Sequence, residues 1–167
     1  DPGPPGLDTA GRVGAAASSR YAEGALVFGL AHAPLACLAR AVALHTASKS
    51  AALTCEQICT LPITWSTTHV VLERAMLAVG FQLMVQAAAG GVGLKAVEYA
   101  QWLSARCICS AGRPHKHAQL RSQEAGDLCS SRGGAAFAFG AARLGNGGRS
   151  HGVLNSLSLD FIAASFA

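Results

Sequence analysis

The run Ala87-Ala88-Ala89-Gly90-Gly91-Val92-Gly93 restricts what this chain can fold into more than any other stretch. An apolar segment, Leu83-Met84-Val85, leads into it, and a helical pattern from Leu94 to Leu103 leads out. Strand, glycine-rich turn and helix in that order form the geometry that cradles a dinucleotide pyrophosphate. On the spacing G-x-G-x-x-G the key positions are Ala88, Gly90 and Gly93, with alanine in the first of them. Gly90 lets the backbone approach phosphates, and Gly93 lets the helix pack close to its strand. The helix N-terminus adds free N–H groups and a partial positive charge. Glycine-rich turns also join strand to helix in α/β proteins that bind no nucleotide, so the spacing alone leaves both readings open.

The surrounding pattern extends the α/β reading. Strands are predicted near 82–87, 106–110, 127–131 and 151–155, and helices near 93–104, 114–124 and 134–144, with another starting near Leu159. Such alternation predicts a parallel sheet with helices on both faces, a Rossmann-type fold. Ahead of it, Pro2, Pro4 and Pro5 open an irregular or edge segment, residues 1–20. Ala25 to Phe28 and Cys37 to Leu44 read as short strands. Thr54 to about Val79 reads as helical, with Pro62 dividing it into two helices.

Charge distribution then bears on the ligand. The chain has 167 residues, 51% hydrophobic and 13% charged, with a formal net charge of +4, which excludes a disordered or highly charged class. Between Arg106 and Arg149 lie seven basic residues and only two acidic ones, Glu124 and Asp127. That excess suits a phosphorylated ligand. Nucleic acid is disfavoured, because only two Trp and two Tyr are present and none of them interleaves with these cations. A sheet that binds NAD carries Asp or Glu about 20 residues past the glycines, to hold the ribose 2′-hydroxyl. Here that place reads Ser110-Ala111-Gly112-Arg113, with His115 and Lys116 just beyond. Cations without a carboxylate favour NADP(H), unless Arg113 and Lys116 are simply solvated helix-start residues.

Other chemistry is poorly supported. The six cysteines, at 37, 55, 59, 107, 109 and 129, do not form the paired C-x-x-C sets of a structural zinc site. No signal peptide opens the chain, so the expectation is a reducing compartment, cytoplasmic or organellar, with buried free thiols. His32, Pro34 and Arg40 interrupt the apolar stretch 24–44, which argues against a membrane span. His32, His45, His69 and His151 are scattered and read as packing or surface residues, and Glu56 and Glu73 as solvated helix residues.

Three stretches together resemble one family, the enoyl reductase domains of polyketide and fatty acid synthases within the medium-chain dehydrogenase/reductase superfamily. Val85 to Ala100 is similar to that family's H-A-A-A/T-G-G-V-G and following helix, with Gln86 in place of the histidine. Val153-Leu154-Asn155-Ser156-Leu157 resembles its V-L-N-S-L segment, where related quinone reductases tend to carry aspartate. Thr60 to Thr67 is similar to its T-x-P-x-x-x-x-T. Looser likeness covers Gly6 to Val13, Gly24 to Leu30 and Cys129 to Arg132.

The resemblance implies residues 1–50 as the tail of a GroES-like substrate domain, 51–80 as linking helices and 81–167 as an NADP(H)-binding Rossmann domain of four strands, truncated at both ends. It implies reduction of a trans-2-enoyl thioester on an acyl carrier protein, with hydride passing from NADPH to the β-carbon and a proton to the α-carbon. The cofactor would do the hydride chemistry and the protein would position it. Ala89, Gly90, Gly91, Val92 and Gly93 fall at the pyrophosphate, and Gly112, Arg113 and Lys116 near the 2′-phosphate. Asn155 and Ser156 fall on the nicotinamide side. Thr67 either lines the cofactor cleft or bonds to its own helix backbone. No catalytic residue can be assigned, since the family's proton-donor candidates lie beyond the matching segments. Expected partners are the carrier protein, which the basic run Arg113 to Arg121 could meet, and neighbouring synthase domains. Alternatives are a free-standing quinone or alkenal reductase, or a degenerate module.

Overall fold

The structure, a computed structural model, describes residues 6–15, 19–32, 34–146 and 148–156. The chain divides into two compact units, residues 1–66 and 67–167.

The first unit is built on an antiparallel sheet in the order β1-β2-β3, with β1 at Asp8–Arg12, β2 at Leu26–His32 and β3 at Arg40–Ser48. Asp8 pairs with Leu30 and Arg12 with Leu26. The segment expected to be irregular or an edge therefore contributes an edge strand. The strand expected at Cys37–Leu44 is displaced to 40–48, because pairing with β2 matches Arg40 to His32 and Ser48 to Val27. A bulge between Gly29 and Ala31 takes up the register shift. A Cβ on Gly29, whose φ is +151°, would lie 2.1 Å from the His45 carbonyl oxygen. Two helices follow, α1 at Cys55–Ile58 and α2 at Pro62–Arg74. Pro62 opens α2 at a position where its missing N–H costs nothing. Asp8 Oδ1 accepts the Ile63 N–H at 2.8 Å and so caps that helix.

The second unit holds a parallel sheet. Its strands are β4 (Gln82–Val85), β5 (Arg106–Ala111), β6 (Asp127–Ser130) and β7 (Gly152–Leu154), in the order β6-β5-β4-β7. The connecting helices are α3 (Gly91–Trp102), α4 (Pro114–Ser122) and α5 (Gly134–Leu144). Side chains alternate across the strands as the pleat requires. Leu83, Val85, Cys107, Cys109 and Leu154 join a core with Ala96, Val97 and Ala100 of α3 and Leu120 of α4. Met84, Ile108 and Cys129 pack on Phe137 of α5 instead. Helices thus cover both faces. Right-handed crossovers give this arrangement directly, since the chain steps outward from β4 to β6 and then returns across the other face to β7. The helix expected from Leu159 lies outside the described residues.

The strand order β6-β5-β4-β7 is that of the first half of the doubly wound dinucleotide fold, and it reverses between β4 and β7. Ligands of such sheets bind outside the carboxyl ends of the strands at that reversal. The sequence puts its glycine run there.

Candidate cofactor site

The turn leaves β4 at Gln86, whose N–H donates to the Leu154 carbonyl at 2.9 Å. Ala87 then takes a left-handed backbone, φ +49°, and its carbonyl accepts the Gly90 N–H at 2.8 Å. The tight bend is thus made at Ala87, which is why alanine serves at the first motif position, Ala88. Ala88 is fully buried and donates its N–H to the Ser110 carbonyl at 3.0 Å. Gly90 caps α3, and Gly91, Val92 and Gly93 form its first turn, so the helix starts two residues earlier than the pattern suggests. The first N–H groups of a helix have no acceptor within it. At Gly93 a Cβ would sit 2.6 Å from the Ala87 oxygen and 2.6 Å from the Ala88 Cα. Only glycine lets α3 approach its strand this closely.

Two other segments meet the turn. Val85 pairs with Cys109 on one side and with Leu154 on the other, so β5 and β7 end beside it. Asn155 and Ser156, both exposed, follow β7 directly. Gly112 and the exposed Arg113 follow β5, and Lys116, also exposed, lies in the first turn of α4. The structure therefore brings Ala89 to Gly93, Gly112, Arg113, Lys116, Asn155 and Ser156 to the carboxyl edge of one sheet. Thr67 is exposed on α2. Its neighbour Thr68 is fully buried and donates Oγ1 to the Val92 carbonyl at 3.4 Å, which ties α2 to the first turn of α3.

Electrostatically this edge is one-signed. None of α3, α4 and α5 has a side-chain cap bond or an acidic residue in its first turn. No Asp or Glu occurs in 86–93, 110–117, 130–134 or 155–156, whereas Arg113, Lys116 and Arg132 do. Arg132, which follows β6, donates Nε to the Gly112 carbonyl. His117 Nε2 lies 2.8 Å from the Ala111 carbonyl oxygen. Sequence reasoning missed Thr68, His117 and Arg132 as parts of the site.

The cysteines of β5 and β6 are free thiols buried in the sheet. Cys109 donates Sγ to the Ala125 carbonyl at 3.0 Å, and its hydrogen bond with Cys107, together with burial, pushes that thiol well up. Burial pushes Cys129 up to about 11. Among the described residues no three His, Cys, Asp or Glu side chains come together as metal ligands, and no helix is long and apolar enough to cross a membrane.

Known proteins share this arrangement. A highly reducing polyketide synthase of Emericella nidulans is 32% identical over 168 residues, covering 96% of this chain and 6% of the synthase. A hybrid PKS-NRPS synthetase of Aspergillus violaceofuscus is 37% identical over 115 residues, 66% of this chain and 3% of the synthetase. The crystal structure of the CurK enoyl reductase matches with a TM-score of 0.87 at 30% identity, over 95% of this chain and 48% of its own. The chain belongs with the enoyl reductase domains of polyketide synthases, in the medium-chain dehydrogenase/reductase superfamily. A mycobacterial protein solved in complex with NADPH has the same fold, with a TM-score of 0.84 at 26% identity over 96% of this chain and 52% of its own. No protein-family model matches the chain. The chain spans about half the length of these solved structures and a small fraction of the synthases.

Proposed function

We propose that this chain forms the NADPH-binding part of an enoyl reductase acting within a polyketide synthase. Its substrate is a trans-2-enoyl thioester carried on an acyl carrier protein, and neighbouring synthase domains are its partners. The observation that carries the cofactor reading is the carboxyl edge of the parallel sheet. It combines a turn only glycine can make at Gly93 with cations, and no carboxylate, at the end of β5.

The residues present fit the group. Ala89 to Gly93 would hold the pyrophosphate through the open first turn of α3. Gly112, Arg113 and Lys116 would hold the 2′-phosphate, where a charged partner is worth most. Asn155 and Ser156 would border the nicotinamide, and Thr67 the cleft. When bound, NADPH supplies the hydride for carbon–carbon double-bond reduction. The chain's own contribution is to fix the cofactor's position, which removes orientational freedom before reaction.

The test is a fluorescence titration of the purified chain with NADPH and with NADH. NADPH is expected to bind at least about tenfold more tightly, since one charge-assisted hydrogen bond is worth about 1.5–3 kcal/mol. The double variant Arg113→Ala, Lys116→Ala should lose that advantage and keep its NADH affinity. Equal binding of the two cofactors by the unsubstituted chain would defeat the proposal.

A further inference from the structure

The turn that carries Arg113 is held at two successive carbonyls by side chains from outside it. His117 Nε2 lies 2.8 Å from the Ala111 oxygen. A carbonyl only accepts, so that ring nitrogen bears the proton, whether the ring is neutral or charged. The same oxygen accepts the Ser131 N–H at 3.1 Å. The next oxygen, that of Gly112, accepts from Arg132 Nε. Space is short as well: a Cβ on Gly112 would come within 3.2 Å of Ser131 Oγ.

His117 differs from its neighbours on α4. His115 and Lys116 are exposed, whereas His117 is half-buried and turned back onto the end of β5. Arg113, at the start of the same helix, has an extended backbone at φ −131°, ψ 145° and makes no capping bond with its side chain. Its guanidinium is not used in the helix cap, while the turn beneath it is tied down.

We infer that His117 is a positioning residue that sets the preference for a phosphorylated dinucleotide. With Arg132 it clamps the turn 111–113, so that Arg113 and Lys116 are presented at the carboxyl edge without an ordering cost when a phosphate binds. The inference rests on the NADPH reading above. Ordering a loose turn on binding weakens affinity. NADH has no 2′-phosphate to reward an ordered Arg113, so its affinity depends little on the clamp. The signature is the ratio of the two affinities.

The experiment titrates NADPH and NADH into the full chain and its variants His117→Ala and His117→Gln. Alanine removes the donor, and NADPH affinity should fall about three- to tenfold, the worth of one hydrogen bond, with NADH changed less than about twofold. Glutamine can place an amide N–H on the Ala111 oxygen and should restore most of the ratio. If alanine unfolds the chain, His117→Asn serves in its place, because it is polar but too short to reach. A ratio unchanged in the alanine or asparagine variant overturns the inference and leaves the cofactor reading intact. A wild-type chain with no NADPH preference overturns both. A loss that glutamine does not rescue overturns the hydrogen-bond role assigned to His117.

Discussion

Gly93→Ala isolates the packing of the glycine turn from its chemistry. The new Cβ would lie 2.6 Å from the Ala87 oxygen, 2.6 Å from the Ala88 Cα and 2.7 Å from the Ala88 oxygen. All three are backbone atoms of a turn whose Ala88 N–H is bonded to β5, so none can step aside as a flexible side chain would. Either α3 moves off the sheet or the turn deforms. Overpacking of this kind costs about 3 kcal/mol, at the upper end of its usual range. Alanine returns about 1 kcal/mol of helix propensity over glycine. The net expectation is a loss of about 2 kcal/mol, or a drop in Tm of roughly 4–8 °C for a chain of this size. Gly134→Ala is the control. It also lies in the first turn of a helix at the same edge, yet its Cβ would meet nothing within 4 Å. Thermal unfolding followed by circular dichroism, with an NADPH titration of each folded variant, gives the comparison. Gly93→Ala should lose both stability and cofactor affinity, and Gly134→Ala should keep its stability. Equal stability of the two variants would refute the argument that close approach of α3 requires glycine.

Gly29→Ala should be more damaging still, because its Cβ would come 2.1 Å from the His45 oxygen and 2.7 Å from the Thr46 Cα across the β2–β3 pairing. Limited proteolysis should cut the first unit of that variant well before the wild type. Thiol labelling should separate the cysteines by burial: exposed Cys37 reacts first, and Cys107, Cys109 and Cys129 only on unfolding. Because burial raises Cys129 from the ordinary 9.0 to about 11, the unfolded chain releases that proton first as pH rises. Its contribution is therefore fully present below about pH 9 and lost as pH rises toward about 11, which denaturant titrations across that window should register.

The parallel sheet was legible because each of its strands is a short apolar run bounded by turn residues. Pleat alternation explains how one strand serves two cores: Cys107 and Cys109 face α3 and α4, and Ile108 faces α5. Displacement of β3 to Arg40–Ser48 was not legible, since it follows from a bulge opposite Gly29 that only pairing with β2 creates. Within the site, the glycine turn and the acid-free end of β5 are local signals, written in contiguous residues. The Arg132 contact with Gly112 spans 20 residues and depends on β6 lying beside β5, which no local pattern encodes. Thr68 was missed for a different reason. It is adjacent to Thr67, and a shift of one residue turns a side chain about 100° around a helix of 3.6 residues per turn. Its spacing of four from the buried Leu72 was the available clue.

The helix caps carry the same distinction between structure and ligand. Helix α1 has a full capping box, with Gln57 N–H donating to Thr54 Oγ1 at 3.2 Å and Thr54 N–H to Gln57 Oε1 at 2.9 Å. Helix α2 begins on the Asp8 carboxylate. Helices α3, α4 and α5 start from Gly90, Arg113 and Gly133 with no side-chain cap. A glycine cap costs only a few tenths of a kcal/mol against serine, and a residue without a capping oxygen about 1 kcal/mol, so the chain forgoes little by this. What it gains is the sign of the field. An aspartate cap would stabilise each of these helices, yet it would set a fixed negative charge where the phosphates of the proposed cofactor would approach. Side-chain caps, a hydroxyl and amide at α1 and a carboxylate at α2, stand where a helix only has to be stable, and none stands along the one edge where the N-termini of α3, α4 and α5 meet Arg113, Lys116 and Arg132.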